Sequence, residues 1–134
     1  MLTFHQGADG FSVLVDRDRI VAAGRKLAPP DGARVRAWPG ELRPGALWTG
    51  ALPDAPSARE RVYAALRAGA TGVVLDADAD RQDPELRAAA TRVGMGSAAG
   101  RLAAGERADF AVFDDFDDAC IATVVAGRIV HRRR

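Results

Sequence analysis

Apolar and polar positions alternate in short stretches over the first forty residues, the pattern of β-strands joined by tight turns. Two apolar runs, at residues 11–15 and 20–23, flank a charged tetrapeptide at 16–19. This arrangement predicts a β-hairpin with a polar turn. Residues 29–32 combine proline and glycine and predict a loop, after which residues 34–38 alternate again and predict a half-buried strand.

The middle of the chain passes from breaker residues to helical spacing. Residues 40–56 are rich in proline and glycine, which predicts a connector in which only 46–48 could form a strand. Apolar residues then recur at helical spacing over 57–69, with Ser57 or a neighbour as the cap, and a β-branched strand is expected at 72–75. Asp83, Pro84 and Glu85 together predict the start of a second helix that ends near residue 93.

The remainder of the chain is again β in character. Strands are predicted at 110–113, 121–126 and 128–131, with the last two joined at Ala126-Gly127. The glycine-rich segment 94–100 lacks the Gly-Lys-Ser/Thr ending of a phosphate loop and follows no predicted strand, so a turn is expected. Strands at both ends with helix and strand units between them predict an α+β fold.

Length and charge exclude several classes of function. The 134 residues fit one compact domain, and 19 basic side chains nearly balance 18 acidic ones. Because the net charge is close to zero, the protein has no strong electrostatic field to attract nucleic acid, and no nucleic-acid partner is expected. No apolar run approaches the ~20 residues that span a bilayer, so no membrane association is expected either. Cys120 is the only cysteine and no signal-peptide pattern follows Met1, which favours a cytoplasmic location.

Several motifs occur in the order and spacing of one enzyme family. Residues 100–113 follow the pattern G-x-L-x-x-G-x-x-A-D-hydrophobic, and a hairpin is expected at 124–130. Residues 18–24 look like an opening hairpin, residues 35–40 like the strand that follows it, and residues 64–74 like a helix followed by a strand. In this order the chain resembles the metal-dependent amidohydrolases, above all the imidazolonepropionase-like branch.

The resemblance implies a two-part architecture. In that family both ends of the chain form a composite β-sandwich beside a barrel, so residues 1–38 with 108–134 are expected to form a small sandwich. Residues 39–107 would be an α/β insert left from the barrel. A complete eight-stranded barrel takes ~250 residues, so this remnant is too short to close.

The family's metal-binding motif is missing. After the Pro-Gly pair at 39–40 the family continues into His-x-His, and here Gly45 and Leu47 occupy those two places. Neither residue can donate a lone pair to a metal. The only histidines, His5 and His131, are weak metal candidates, and we assign no catalytic, cofactor-binding or metal residue.

Three further segments contain side chains that could in principle bind a cation or act as a nucleophile. Residues 76–80 carry alternate aspartates as a calcium loop does, but Arg81 replaces the required glycine, so a solvated loop is expected. The acidic run 114–118 predicts a charged connection between strands, with Phe116 as an apolar anchor. Cys120 has no nearby His or Cys and is expected to be a small buried side chain.

These observations lead to a non-catalytic binding or assembly module without a cofactor. A truncated barrel is expected to expose apolar side chains, and covering them against a second copy or another protein predicts a homodimer or a protein partner. The side chains expected to be exposed are Leu47, Trp48, Val62, Tyr63 and Leu66.

Two alternatives stay open. One is a hydrolase acting on non-peptide carbon-nitrogen bonds, with a metal site rebuilt from His5, His131 and aspartates or completed by a partner chain. The other is a small-molecule pocket between sandwich and insert, lined by Trp38 and Trp48.

Overall fold

A computed structural model describes residues 1–133, so Arg134, the last residue of the predicted sandwich segment 108–134, lies outside the described residues. Ten strands and three helices give residues 1–133 a mixed α+β fold with three sheets and no closed barrel. The strands are β1 (Leu2–Gln6), β2 (Ser12–Asp16), β3 (Arg19–Gly24), β4 (Arg34–Ala37), β5 (Gly40–Pro44), β6 (Ala46–Trp48), β7 (Ala70–Val73), β8 (Phe110–Asp114), β9 (Cys120–Val125) and β10 (Arg128–Arg132). The helices are α1 (Ala58–Arg67), α2 (Asp78–Arg81) and α3 (Pro84–Arg92).

The first sheet contains the four N-terminal strands in the order β3-β2-β1-β4. Strands β1, β2 and β3 are antiparallel neighbours, and β4 pairs with β1 in parallel. The predicted hairpin with a polar turn is confirmed, since β2 and β3 are joined through Arg17 and Asp18. Arg17 adopts a positive φ of 57° at this turn.

The second sheet contains the three C-terminal strands and β5, all antiparallel, in the order β10-β9-β8-β5. Ala126 and Gly127 both have positive φ and join β9 to β10, as predicted. The prediction of a connector at 40–44 is wrong, because this segment is strand β5, which pairs with β8 from Gly40–Asp114 to Pro44–Phe110. Pro44 ends the strand at the edge of the sheet, where a missing N–H costs little.

One hydrophobic cluster lies between the inner faces of these two sheets. Val13, Val15 and Ile20 of the first sheet are buried together with Phe110 and Val124 of the second. Backbone bonds from Ile20 N to Glu106 O and from Ala108 N to Asp18 O also join the two chain regions. Residues distant in the sequence therefore share one core.

The third sheet consists of the parallel neighbours β6 and β7, and helix α1 connects them along the chain. Ser57 caps α1 by accepting a hydrogen bond from Glu60 N, and the Asp83 side chain accepts bonds from the first turn of α3. Both caps follow the prediction. A second hydrophobic cluster joins α1, α3 and β7.

The expected exposure of an apolar barrel face is wrong for its central residues. Val62 is 2% exposed and Leu66 is fully buried, because α3 and strands β9 and β10 cover α1. Leu47 and Trp48 are half-buried, and only Tyr63 is exposed. Among residues 1–133 no helix has both the length and the apolar character needed to cross a membrane.

Candidate functional site

Gly45 lies where β5 leads into β6, at the first of the two positions that hold metal ligands in the resembled family. Its N–H donates to Asp109 O at 3.1 Å, and its carbonyl accepts from Gly100 N at 2.8 Å. A Cβ on Gly45 would overlap Thr71 Oγ1 and Cγ2 and would lie 2.6 Å from Thr71 Cβ. Thr71 is fully buried on β7. The side chain of Thr71 therefore occupies the space that a histidine at position 45 would need.

The glycine-rich segment 94–100 also packs against the backbone of Gly45. A Cβ on Gly100 would lie 2.7 Å from Gly45 N, which is closer than real Cβ atoms approach. Gly96 forms a parallel bridge with Gly72, and Val73 N donates to Gly96 O at 2.9 Å. Residues 96–100 thus pack against Gly45 and β7 by close backbone contact, which agrees with a structural segment and not with a phosphate loop.

Leu47 lies at the second ligand position, on β6 opposite Gly72. It is half-buried and offers no lone pair to a metal. Of the two positions, the first has no room for a side chain and the second carries an isobutyl group. The strand that would begin a metal centre is here a packing element.

His5 lies on β1 between two aromatic rings. The Trp38 Nε1–H donates to His5 Nδ1 at 3.1 Å, and the Phe110 ring lies edge-on with a centroid distance of 5.0 Å. Burial, with a contribution from Arg36, lowers the pKa of His5 to about 4. The ring is therefore neutral near pH 7, with its Nδ1 lone pair engaged by Trp38 and its proton on Nε2. No lone pair is left for a metal while this hydrogen bond lasts.

His131 lies on β10, in the other sheet from His5. Its ring makes an edge contact with Tyr63 at a centroid distance of 6.0 Å, and Nε2 lies 3.5 Å from Cys120 O. Burial is the main cause that lowers the pKa of His131. Within residues 1–133 no three His, Cys, Asp or Glu side chains form a group that could hold a metal. The structure does not bring the two candidate histidines into one site.

Asp109, the acidic residue of the A-D-hydrophobic motif, is buried, and its carboxylate accepts hydrogen bonds from a backbone N–H and from an arginine. Its Oδ1 accepts from Ala126 N at 2.8 Å, and its Oδ2 accepts from Arg107 Nε at 2.7 Å. Ala126 has a positive φ of 49° in the turn between β9 and β10. Asp109 therefore holds this turn against the start of β8.

Asp80 is a buried carboxylate that sequence reasoning missed. The expected solvated loop at 76–80 is wrong in its second half, where α2 begins at Asp78 and Asp80 is only 3% exposed. Asp80 accepts from Leu52 N and Arg61 Nη2, both at 2.9 Å. The Leu52 N–H is the main cause that lowers the pKa of Asp80, and Arg61 adds to it. The acidic residues Asp78 and Asp80, which favour the first turn of a helix, were a signal for this helix.

The tryptophans proposed to share a pocket belong to different hydrophobic clusters. Trp38 is buried between the two large sheets, beside His5. Trp48 packs against the helical cluster and donates from Nε1 to Ala51 O at 3.0 Å. The predicted joint lining by Trp38 and Trp48 is therefore wrong.

Cys120 lies half-buried at the start of β9. Its sulfur is 3.4 Å from both Ala122 O and Thr123 Oγ1. Burial raises the pKa of the Cys120 thiol, which disfavours the reactive thiolate. This environment agrees with a structural role.

Two surface features have opposite character. The arginine groove, a cavity of about 460 Å³ between α1, α3 and β10, has an apolar floor and arginines at its edge. The residues that define it here are Val62, Leu66, Ile129, Arg59, Arg92 and Arg128. The Phe116 loop, residues 114–118 between β8 and β9, carries four aspartates and a phenylalanine that is 98% exposed. The expected role of Phe116 as an apolar anchor of its own loop is wrong.

Comparisons of this chain with models of protein families, with curated proteins and with solved structures found no match.

Proposed function

We propose that this chain is a non-catalytic assembly module of imidazolonepropionase-like ancestry. In this proposal the composite β-sandwich is retained and the barrel is reduced to a short α/β insert. Assembly, by self-association or with a protein partner, replaces the metal-dependent chemistry of the complete enzymes.

The order of the structural units supports this ancestry. Strands from residues 1–38 and 108–133, together with β5, form two sheets with one common cluster, as expected for a composite sandwich. The unit β6-α1-β7 has the strand-helix-parallel strand connection of a barrel repeat. Strand β5 leads directly from the second sheet into β6, where the barrel of a complete enzyme would begin.

The contact between Gly45 and Thr71 is the observation that carries the non-catalytic proposal. The missing His-x-His motif alone could be a local substitution in an otherwise open site. Here the space at position 45 is filled by a buried side chain, and Gly100 packs on the backbone of the same residue. A metal centre at this place would need the backbone of several segments to move apart.

The alternative, a hydrolase with a rebuilt or partner-completed metal site, makes an opposite prediction that is simple to test. Elemental analysis of the purified, chelator-free protein should find less than about 0.1 equivalent of transition metal, because a structural or catalytic zinc site retains its ion through purification. Addition of Zn²⁺ should produce no hydrolysis of a panel of cyclic amides and imidazolones. Stoichiometric metal together with zinc-dependent turnover would overturn the proposal.

A further inference from the structure

We infer that two copies of this chain form a two-fold dimer in which each Phe116 loop inserts its phenylalanine into the arginine groove of the other copy. This inference rests on the proposed assembly role and names the partner and both contact surfaces. The Phe116 ring is exposed to solvent, and the groove is an open cavity above the buried side chains of α1.

The Phe116 loop holds its phenylalanine toward solvent by a set of short-range hydrogen bonds. Asp114 Oδ1 accepts from Phe116 N at 2.7 Å, and Asp118 N donates to Asp114 O at 3.0 Å. Asp117 Oδ1 accepts from Ala119 N at 3.0 Å. A turn fixed in this way presents the aromatic ring without a large loss of chain entropy on binding. Exposed and preorganised aromatic residues are typical anchors of protein interfaces.

The arginine groove offers a place for such a ring. Its floor is formed by side chains of the second hydrophobic cluster and by Ile129 and Val130 of β10, so an inserted ring would extend an existing core. Tyr63, which is exposed at the edge of the groove, adds an aromatic wall. A groove that joins apolar floor to polar edge is the usual form of a binding site.

The charges of the two surfaces are complementary. Arg59, Arg92 and Arg128 form no ion pair with any residue in 1–133. In the Phe116 loop, Arg133 pairs with two aspartates and Arg43 with a third, while Asp115 forms no ion pair within the same range. The four carboxylates therefore outnumber the two guanidinium groups beside them. Opposite potentials of this kind orient two partners and exclude other pairings.

A second copy is the occupant that the charges favour, because this chain itself carries both the arginine groove and an acidic loop with an exposed aromatic ring. Arg128, at the groove, begins β10, and Arg133, which contacts the Phe116 loop, follows the end of the same strand. At the rise of an extended strand, these two residues are about 16 Å apart. A two-fold axis places the loop of each copy against the groove of the other, so both contacts form in one closed pair.

The test is the dimer dissociation constant of the full chain, measured by sedimentation velocity over a concentration series. Phe116→Ser and Arg92→Glu should each raise this constant by about tenfold or more, since each removes a central contact. Val35→Ser, which changes another exposed apolar residue, and Arg87→Glu, which reverses another exposed charge on α3, should leave it within about twofold. Thermal unfolding of each variant shows that the fold is kept.

A charge exchange gives the inference a second test. The double variant Arg92→Asp with Asp115→Arg should recover a large part of the affinity that Arg92→Asp alone loses. A monomer at every concentration, or a dimer that neither Phe116→Ser nor Arg92→Glu weakens, would overturn the inference. Both results are independent of the metal analysis, so a failure here is distinguishable from a failure of the non-catalytic proposal.

Discussion

The side chain of Thr71 occupies the volume into which any side chain at Gly45 would have to extend. A Cβ on Gly45 would lie 2.6 Å from Thr71 Cβ and closer still to the two atoms beyond it. Gly45 directly precedes β6, and Thr71 is fully buried on the neighbouring strand β7. This packing makes position 45 a part of the core.

Substitution at Gly45 should therefore destabilise the fold in a way that depends on Thr71. Gly45→Ala should lower the free energy of unfolding by about 1–3 kcal/mol, the usual cost of overpacking. Thr71→Ala removes two of the three atoms that the new methyl group would meet, so the double variant should be more stable than the sum of the single changes predicts. Urea denaturation of the four proteins measures this coupling.

Gly24→Ala is the matched control for this cycle. The nearest atom to a Cβ on Gly24 is Leu27 Cγ at 3.9 Å, an ordinary contact distance. This variant should change stability by less than about 0.5 kcal/mol. Strict additivity of Gly45→Ala and Thr71→Ala would show that the two side chains do not compete for the same space.

Asp109 should contribute to stability through two separate hydrogen bonds. Asp109→Ala leaves Ala126 N and Arg107 without their acceptor and should cost about 2–3 kcal/mol. Asp109→Asn retains one acceptor oxygen and should cost less. Asp54→Ala, at an exposed position outside the proposed dimer contact, should leave the unfolding midpoint in urea unchanged, and an equally small effect of Asp109→Ala would contradict the proposed role.

His5 should make the protein less stable in mild acid. Its folded-state pKa of about 4 lies below the ordinary value of 6.5, so the unfolded chain takes up the proton more readily. The stabilising effect is complete above pH 6.5 and is lost progressively as the pH falls toward 4, by a total on the order of 3 kcal/mol. His5→Gln, which can still accept from Trp38, should remove this part of the pH dependence. Equal slopes for both proteins between pH 6.5 and 4 would refute the assignment.

Asp80 should be more important for stability than its acidic neighbours. Asp80→Asn removes the charge that pairs with Arg61 and should cost about 1–3 kcal/mol. Since the folded-state pKa of Asp80 is lowered, its contribution is present above the unfolded pKa and is lost as the pH falls through the folded pKa. Asp78→Asn is the control, because its ion pair with Arg81 is exposed and should be worth less than about 1 kcal/mol.

Urea unfolding at pH 7 measures how much Asp78 and Asp80 each contribute to stability. If Asp78→Asn and Asp80→Asn shift the unfolding midpoint equally, the buried network of Arg61, Leu52 and Asp80 does not stabilise the segment before α1.

Much of the local structure could be predicted, and the errors have a common cause. Hairpin turns and helix caps depend on residues within a few positions of each other, so Ser57, Asp83 and the Ala126-Gly127 turn were identified correctly. Strand β5 was missed because Gly40 and Pro44 indicate a connector, while its partner β8 lies about seventy residues further along the chain. Pairing over such a distance leaves no local pattern.

The candidate site, too, could be predicted only where it depends on the chemistry of single residues. The chemistry of the residues at positions 45 and 47 is sufficient to exclude the family's metal ligands there, because neither side chain has a donor atom. The burial of Val62, Leu66 and Asp80 could not be inferred, since it depends on elements packed against them from elsewhere in the chain.

The sequence by itself therefore determined the β2–β3 and β9–β10 hairpins, the starts of α1 and α3 and the absence of His-x-His, because each of these depends on neighbouring residues or on side-chain chemistry alone. Only the tertiary structure decided that Thr71 fills the place beside Gly45, that His5 is paired with Trp38, and that the Phe116 loop and the arginine groove lie apart on the surface. Those relationships arise from contacts between distant segments, which form when the two hydrophobic clusters are buried.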